Sequence, residues 1–257
     1  MNKNTLPIAV IDSGVGGISV LRELIDIMPR ENYIYFGDSK NAPYGSKSKS
    51  EVLDITRQNL KALQDKGIKA LVVACNTATS AAVRILREEH PELVIVGIEP
   101  AIKPPAIELD NPTVLVMATP LTLREEKFLK LVERYRDREN VIALPCPRLA
   151  ELIEGGDLDS GEIEDYIAHL LAPYKEQKID ALVLGCTHYP HVKDKIARHL
   201  PPSVKIYDGG QGTARHTKRL LEAAGKLNDG VKRGTVEILN SSADARYIEL
   251  SKKLLLR

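Results

Sequence analysis

Two short stretches, Ala70–Ala82 (ALVVACNTATSAA) and Ala181–Pro190 (ALVLGCTHYP), constrain this chain more than any other feature. Each opens on an apolar run, Leu71–Ala74 or Leu182–Gly185, that delivers a cysteine, Cys75 or Cys186. Such a run, bounded by polar residues, reads as a buried parallel strand. Small polar residues follow, Asn76-Thr77 and Thr187-His188, and then a helical pattern begins. A thiol at a strand's carboxyl end, facing the amino end of a helix, sits where open α/β sheets bind ligands. Helix dipoles and unpaired backbone N–H groups favour a thiolate at such a place. One such cysteine could be a core residue. Two in matching settings, 111 positions apart, point to a duplicated half-site with one thiol from each half.

The rest of the chain reads as alternating strands and helices. Strand Ile8–Ile11 runs into Asp12-Ser13-Gly14-Val15-Gly16-Gly17 and a helix, Ile18–Ile27. The glycines suggest a dinucleotide fingerprint, but Ser19 holds the place of the third glycine, so the motif is incomplete and a dinucleotide stays a minor alternative. Asp38, just after strand Tyr33–Phe36, is in the place of its ribose-binding acid. Asp12 and Ser13 at a strand's end are then either helix-capping groups or themselves the functional residues. Pro43-Tyr44-Gly45 is a rigid turn presenting a hydroxyl and a backbone N–H. Ser48 and Glu51 form a capping box for a helix ended by Gly67. Pro100, Pro104, Pro105 and Pro112 mark a break in composition. A second α/β unit starts at strand Thr113–Met117, with Ala118-Thr119-Pro120 in the place that Asp12-Ser13 takes in the first. Val10 and Val116 are 106 positions apart, close to the cysteine offset, as an internal repeat requires. Helices are expected over Ala78–Glu89, Arg124–Tyr135 and Ile163–Lys175, and strand Val204–Tyr207 leads a return to the first unit. The expected domains are 1–97 with 209–257, carrying Cys75, and 98–208, carrying Cys186.

Composition narrows the function. A net charge of +1 gives no electrostatic reason to bind nucleic acid or a membrane surface. With no Trp and only two Phe, a base-stacking surface is not expected. No apolar run approaches the ~20 residues of a membrane span, and no signal peptide is evident at the amino terminus. Three cysteines without a CxxC pair argue against a disulfide framework or a zinc site. The expected compartment is the reducing cytoplasm. Cys146 lacks the strand–Cys–polar–helix setting and is assigned to packing.

Two thiols facing each other across a cleft suit one chemistry well. One, as thiolate, takes a proton from carbon, and the other, as thiol, returns one to the opposite face. This inverts a stereocentre without a cofactor. Proton transfer from carbon needs a base of suitable pKa within reach. Asp12 is placed to serve Cys75, and His188 and Glu154 to serve Cys186. Ser13, Asn76, Thr77, Thr119 and Thr187 offer neutral donors that, with helix amino ends, bind carboxylates. No lysine stands beside either cysteine to hold pyridoxal phosphate. No metal or cofactor is expected.

Four signatures together, Asp12–Gly17, Pro43–Gly45, Ala74–Thr79 and Gly185–Pro190, resemble those of bacterial glutamate racemases, part of a wider aspartate/glutamate racemase group. The resemblance runs from about Ile8 to Leu221 in order and spacing. It implies two similar doubly wound α/β domains with mostly parallel sheets, related by pseudo-twofold symmetry around a cleft that holds the active site. It implies cofactor-independent interconversion of L- and D-glutamate, supplying D-glutamate for peptidoglycan. It implies Cys75 and Cys186 as the acid/base pair, with Asp12, Glu154 and His188 assisting. Asp12, Ser13, Tyr44, Gly45, Asn76, Thr77, Thr119, Thr187 and His188 match substrate-binding positions. A homodimer is the expected assembly. Only seven residues precede the first strand, so activation by a cell-wall precursor is not expected. The alternatives are an aspartate or hydantoin racemase of the same group and a non-catalytic α/β binding protein.

Overall fold

The computed structural model describes residues 3–257. Its nine strands are β1 (Ile8–Asp12), β2 (Tyr33–Gly37), β3 (Ala70–Val73), β4 (Val94–Gly97), β5 (Thr113–Ala118), β6 (Asn140–Pro145), β7 (Ala181–Leu184), β8 (Lys205–Asp208) and β9 (Val236–Asn240). They form two sheets, and every pairing is parallel. The chain divides into two units. One runs to Glu99 and resumes over Gly210–Arg257; the other is Pro100–Gly209.

The first unit's sheet has the order β4-β3-β1-β2-β9. Its two central strands, IAVID and ALVV, are buried at every residue. That is the behaviour of strands covered by helices on both faces, and it explains their unbroken apolar sequences. Ile11 pairs with Val73, so the ends of β1 and β3 lie side by side on one rim of the sheet. Leu71, Val73, Ala82 and Leu86 pack into a single core with Cys75 and Tyr44. The chain after Gly210 is tied to the opposite rim. Lys69, at the foot of β3, forms a buried ion pair with Glu31 and donates from Nζ to the carbonyls of Asn4 (2.5 Å) and Lys226 (2.9 Å). Glu31 Oε1 in turn accepts from the Asn228 amide at 2.7 Å. Removing one partner of such a pair strands a buried charge, so this arrangement fixes the segment firmly.

The second unit's sheet has the order β6-β5-β7-β8. Read from the other edge, β8-β7-β5-β6 repeats β4-β3-β1-β2 strand for strand. The internal repeat seen in the sequence is therefore a repeat of topology: β5 takes the place of β1, and β7 that of β3.

The boundaries depart from expectation where proline or a cap intervenes. The proline-rich break contains a short helix, Lys103–Glu108, with proline in its first turn, where a missing N–H leaves no bond unmade. The helix expected over Arg124–Tyr135 is two. Pro120–Arg124 is capped by Thr119, whose Oγ1 accepts from Thr122 N, and Glu126–Tyr135 follows after an extended Glu125. The helix expected to reach Lys175 ends at Leu171, and Pro173 sits in a tighter 3-10 turn, Ala172–Tyr174. The capping box forms as read: Ser48 N donates to Glu51 Oε2 at 2.8 Å, and Glu51 N to Ser48 Oγ at 3.3 Å.

Candidate active site

In the first unit the site residues gather at the carboxyl rim of the sheet. Cys75 is the cap residue of the helix Asn76–Glu89, which begins two residues earlier than expected. Its sulfur therefore stands at the helix's amino end, where the first-turn N–H groups have no intrahelical acceptor. The same turn carries Asn76 and Thr77, both buried. Asp12, 2% exposed, ends β1 beside them, and its Oδ1 accepts from Gly14 N at 3.1 Å. Ser13 follows, half-buried. Gly17 is required here: a Cβ would stand 2.6 Å from Asp12 Cβ and 3.0 Å from Ala74 Cβ. Only glycine lets the next helix approach the strand so closely.

Tyr44 belongs to the same cluster. Its phenol is pushed well above its ordinary range, first by burial, then by Asp38 and by the charges of Cys75 and Asp12. Its hydroxyl donates to Asp38 Oδ2 at 2.5 Å. Gly45 is exposed, with open space where a Cβ would be.

In the second unit β7 hands over to Cys186 through Gly185, whose amide donates to Met117 O at 2.7 Å. A Cβ on Gly185 would meet that carbonyl and Ala118 Cβ at 2.9 Å each. Cys186 Sγ lies 3.6 Å from His188 Nδ1, and His188 Nε2 lies 2.7 Å from Glu154 Oε1. Glu154 closes the helix Leu149–Glu154. Burial works against a charged His188, but the hydrogen bonds and charges of Cys186 and Glu154 prevail, so its pKa is held well above the ordinary value. The result is a chain of sulfur, imidazole and carboxylate whose surroundings favour the charged imidazole. Thr187 is buried next to it. Thr119, half-buried at the end of β5 and so one strand from Cys186, also pairs with Thr122 Oγ1 at 2.9 Å.

Cys146 behaves as the sequence suggests. It is fully buried, its thiol donates to Leu144 O at 3.4 Å, and burial together with the charge of Cys186 pushes its pKa up to about 12. The remaining histidines lie in helical or charged stretches of the sequence, and their exposure is not uniform. His169 is exposed, whereas His90, His191, His199 and His216 are half-buried, and His199 Nε2 pairs with Glu164 Oε1 at 2.8 Å. Among the described residues, no group of three or more His, Cys, Asp or Glu could hold a metal ion.

Asp38 is the residue whose place in this site the sequence did not reveal. It is wholly buried at the end of β2, with its amide donating to Asp12 O at 2.9 Å. The available signal was an acid at the carboxyl end of the strand that follows β1.

The sequence matches a family model described as Asp/Glu/Hydantoin racemase over residues 8–217. A glutamate racemase of Clostridium botulinum (strain Alaska E43 / Type E3) is 46% identical over 255 residues, covering 99% of both chains. The crystal structure of glutamate racemase from Francisella tularensis subsp. tularensis SCHU S4, in complex with D-glutamate, is similar with a TM-score of 0.84 at 29% identity, over 99% of this chain and 95% of that one. That of the Escherichia coli glutamate racemase, in complex with L-glutamate and activator UDP-MurNAc-ala, gives 0.83 at 30% identity, over 98% and 93%.

Proposed function

The chain belongs to the Asp/Glu/Hydantoin racemase family, and from that premise we infer that it is an isomerase that interconverts L- and D-glutamate. Cys75 and Cys186 are the two acid/bases of the reading. One, as thiolate, takes the α-proton and becomes a thiol. The other, as thiol, gives its proton to the opposite face of the carbanion and becomes a thiolate. Proton and charge balance over the cycle, and no cofactor enters. His188, held protonated by Glu154, stabilises the thiolate form of Cys186 and orients it. Asp12 is the corresponding acid beside Cys75. The substrate's carboxylates take hydrogen bonds from Ser13, Asn76, Thr77, Thr119 and Thr187, and from the backbone N–H groups of Tyr44 and Gly45. Donors aimed at a carboxylate also stabilise the charge that spreads onto it as the α-proton leaves.

The observation that carries this reading is the contact of Cys186 with His188, backed in turn by Glu154, at a position that repeats Cys75 in the sheet topology. A buried structural cysteine has no use for a protonated imidazole. Full-length identity near one half to a glutamate racemase favours glutamate over aspartate or hydantoin substrates. A pocket separates side chains one methylene apart by only ~1–3 kcal/mol, so the substrate itself is tested by polarimetry on a panel of amino acids. Cys75→Ser and Cys186→Ser each abolish racemisation of glutamate while circular dichroism stays native. Near-normal turnover in either variant overturns the assignment. The reading extends to supply of D-glutamate for peptidoglycan, to a cytoplasmic location and to a homodimer, the last read by analytical ultracentrifugation. Among the described residues, no helix is long and apolar enough to cross a membrane.

A further inference from the structure

We propose that Asp38 is a positioning residue that holds the Pro43–Tyr44–Gly45 turn where its backbone N–H groups meet a substrate carboxylate. The inference rests on the reading above that Tyr44 and Gly45 bind glutamate. Asp38 joins three pieces of the first unit. Its amide donates to Asp12 O at 2.9 Å, which fixes it to the end of β1. Its carboxylate accepts from Asn41 Nδ2 at 3.0 Å and 3.1 Å, from Tyr44 OH at 2.5 Å and from Asn59 Nδ2 at 3.2 Å. Asn59, on the helix Lys49–Asp65, also lies 3.3 Å from Tyr44 OH. One wholly buried acid thus ties a strand end, the turn and a helix together. Charge-assisted hydrogen bonds of this kind are about twice as strong as neutral ones.

The network has a chemical consequence. A phenol has one proton, and Tyr44 commits it to Asp38. The Tyr44 side chain therefore has no proton to give a substrate and serves as an anchor. The amides of Tyr44 and Gly45 donate to no other described residue. Gly45 faces open space on the exposed side of the turn. Two amides held in this way form a receptor for an anionic oxygen, and their position depends on the buried end of the Tyr44 ring. Asp38 touches neither substrate nor sulfur in this account, and it acts only through the turn.

The test is steady-state kinetics in both directions. Asp38→Asn keeps the size but sets an NH2 against the donors of Asn41 or Asn59. It raises KM for L- and D-glutamate about tenfold and leaves kcat within about threefold, the pattern of lost binding that ground and transition states share. Tyr44→Phe removes the same bond from the other side and raises KM in the same sense, which keeps the test alive should Asp38→Asn fold poorly. The exchange Asp38→Asn with Asn59→Asp returns a carboxylate to the network and recovers part of the loss in KM, which a generic packing defect would not. An unchanged KM in both single variants overturns the positioning role. A collapse of kcat at constant KM, as expected of the cysteine variants, overturns it too, by placing Asp38 in the chemistry. Failure of the underlying reading is distinct: a wild-type protein that exchanges no α-hydrogen of glutamate in deuterated water.

Discussion

The charge of a titratable side chain is set by what surrounds it, and two glutamates of the second unit, half-buried Glu154 and buried Glu139, show this in opposite ways. Glu154 is paired with His188 and helps hold that imidazole charged. His188 has a raised pKa, so the stability of their pair is complete below the ordinary histidine value of about 6.5 and is lost as pH rises through the raised one. Glu139 is 4% exposed, its carboxylate oxygens have no hydrogen-bond partner among the described residues, and burial pushes its pKa up to about 7. The fold favours its neutral form, so ionisation costs native stability. That stability should fall as pH rises from the usual carboxylate range through 7 and then level off. We predict that Glu139→Gln removes a loss of about 2–3 kcal/mol between pH 5 and pH 8.5, measured as the change in urea midpoint within each variant. An identical pH trend in the wild type and Glu139→Gln would contradict the cause given.

At the scale of strands and helices, the elements that carry the cysteines were the most legible. Short apolar runs with valine, bounded by polar residues, read as buried strands, and β3 and β7 lie within a residue of Leu71–Ala74 and Leu182–Gly185. Helix starts were less so. Asn and Thr usually stand just before a helix as its cap, yet here Cys75 is the cap and Asn76 the first helical residue. The sequence places Pro120 ahead of a helix that starts at Arg124, but Pro120 opens a short one of its own because Thr119 caps it. The candidate site divided along the same line. Cys75, Cys186, Asp12 and His188 are neighbours in sequence of recognisable strand ends. The part played by Asp38 depends on Asn59, 21 residues away on another element, and no local pattern announces it. The tight seams between elements give a direct test. Gly17→Ala would press a methyl against the Cβ atoms of Asp12 and Ala74, which cannot move without their backbones. We predict a loss of about 1–3 kcal/mol in stability and a fall in kcat/KM out of proportion to it, because Asp12 is displaced. Thermal melts and kinetics on the same sample check both, and a variant with normal kcat/KM would show that Asp12's place does not matter.

Across the whole molecule, one topology is used twice, and the second use changes the partners of the sulfur. Four strands in the same order deliver Cys75 beside Asp12 in one unit and Cys186 beside His188 and Glu154 in the other. Unequal partners suit unequal tasks, since the two directions of a racemisation start from opposite protonation states of the two thiols. The added strand β9 and the buried Lys69–Glu31 pair lock the chain's last segment onto the first unit, away from the cysteine rim. Racemisation by Cys75 and Cys186 requires two different groups to handle the proton. The most direct measurement is the fate of the α-hydrogen when L-glutamate is converted in deuterated water and sampled early by mass spectrometry and proton NMR. Two bases give D-glutamate that carries solvent deuterium at Cα while recovered L-glutamate remains largely unlabelled. D-glutamate that retains its original hydrogen, or label arriving equally in both enantiomers from the first turnovers, would mean a single base and would contradict the two-thiol reading.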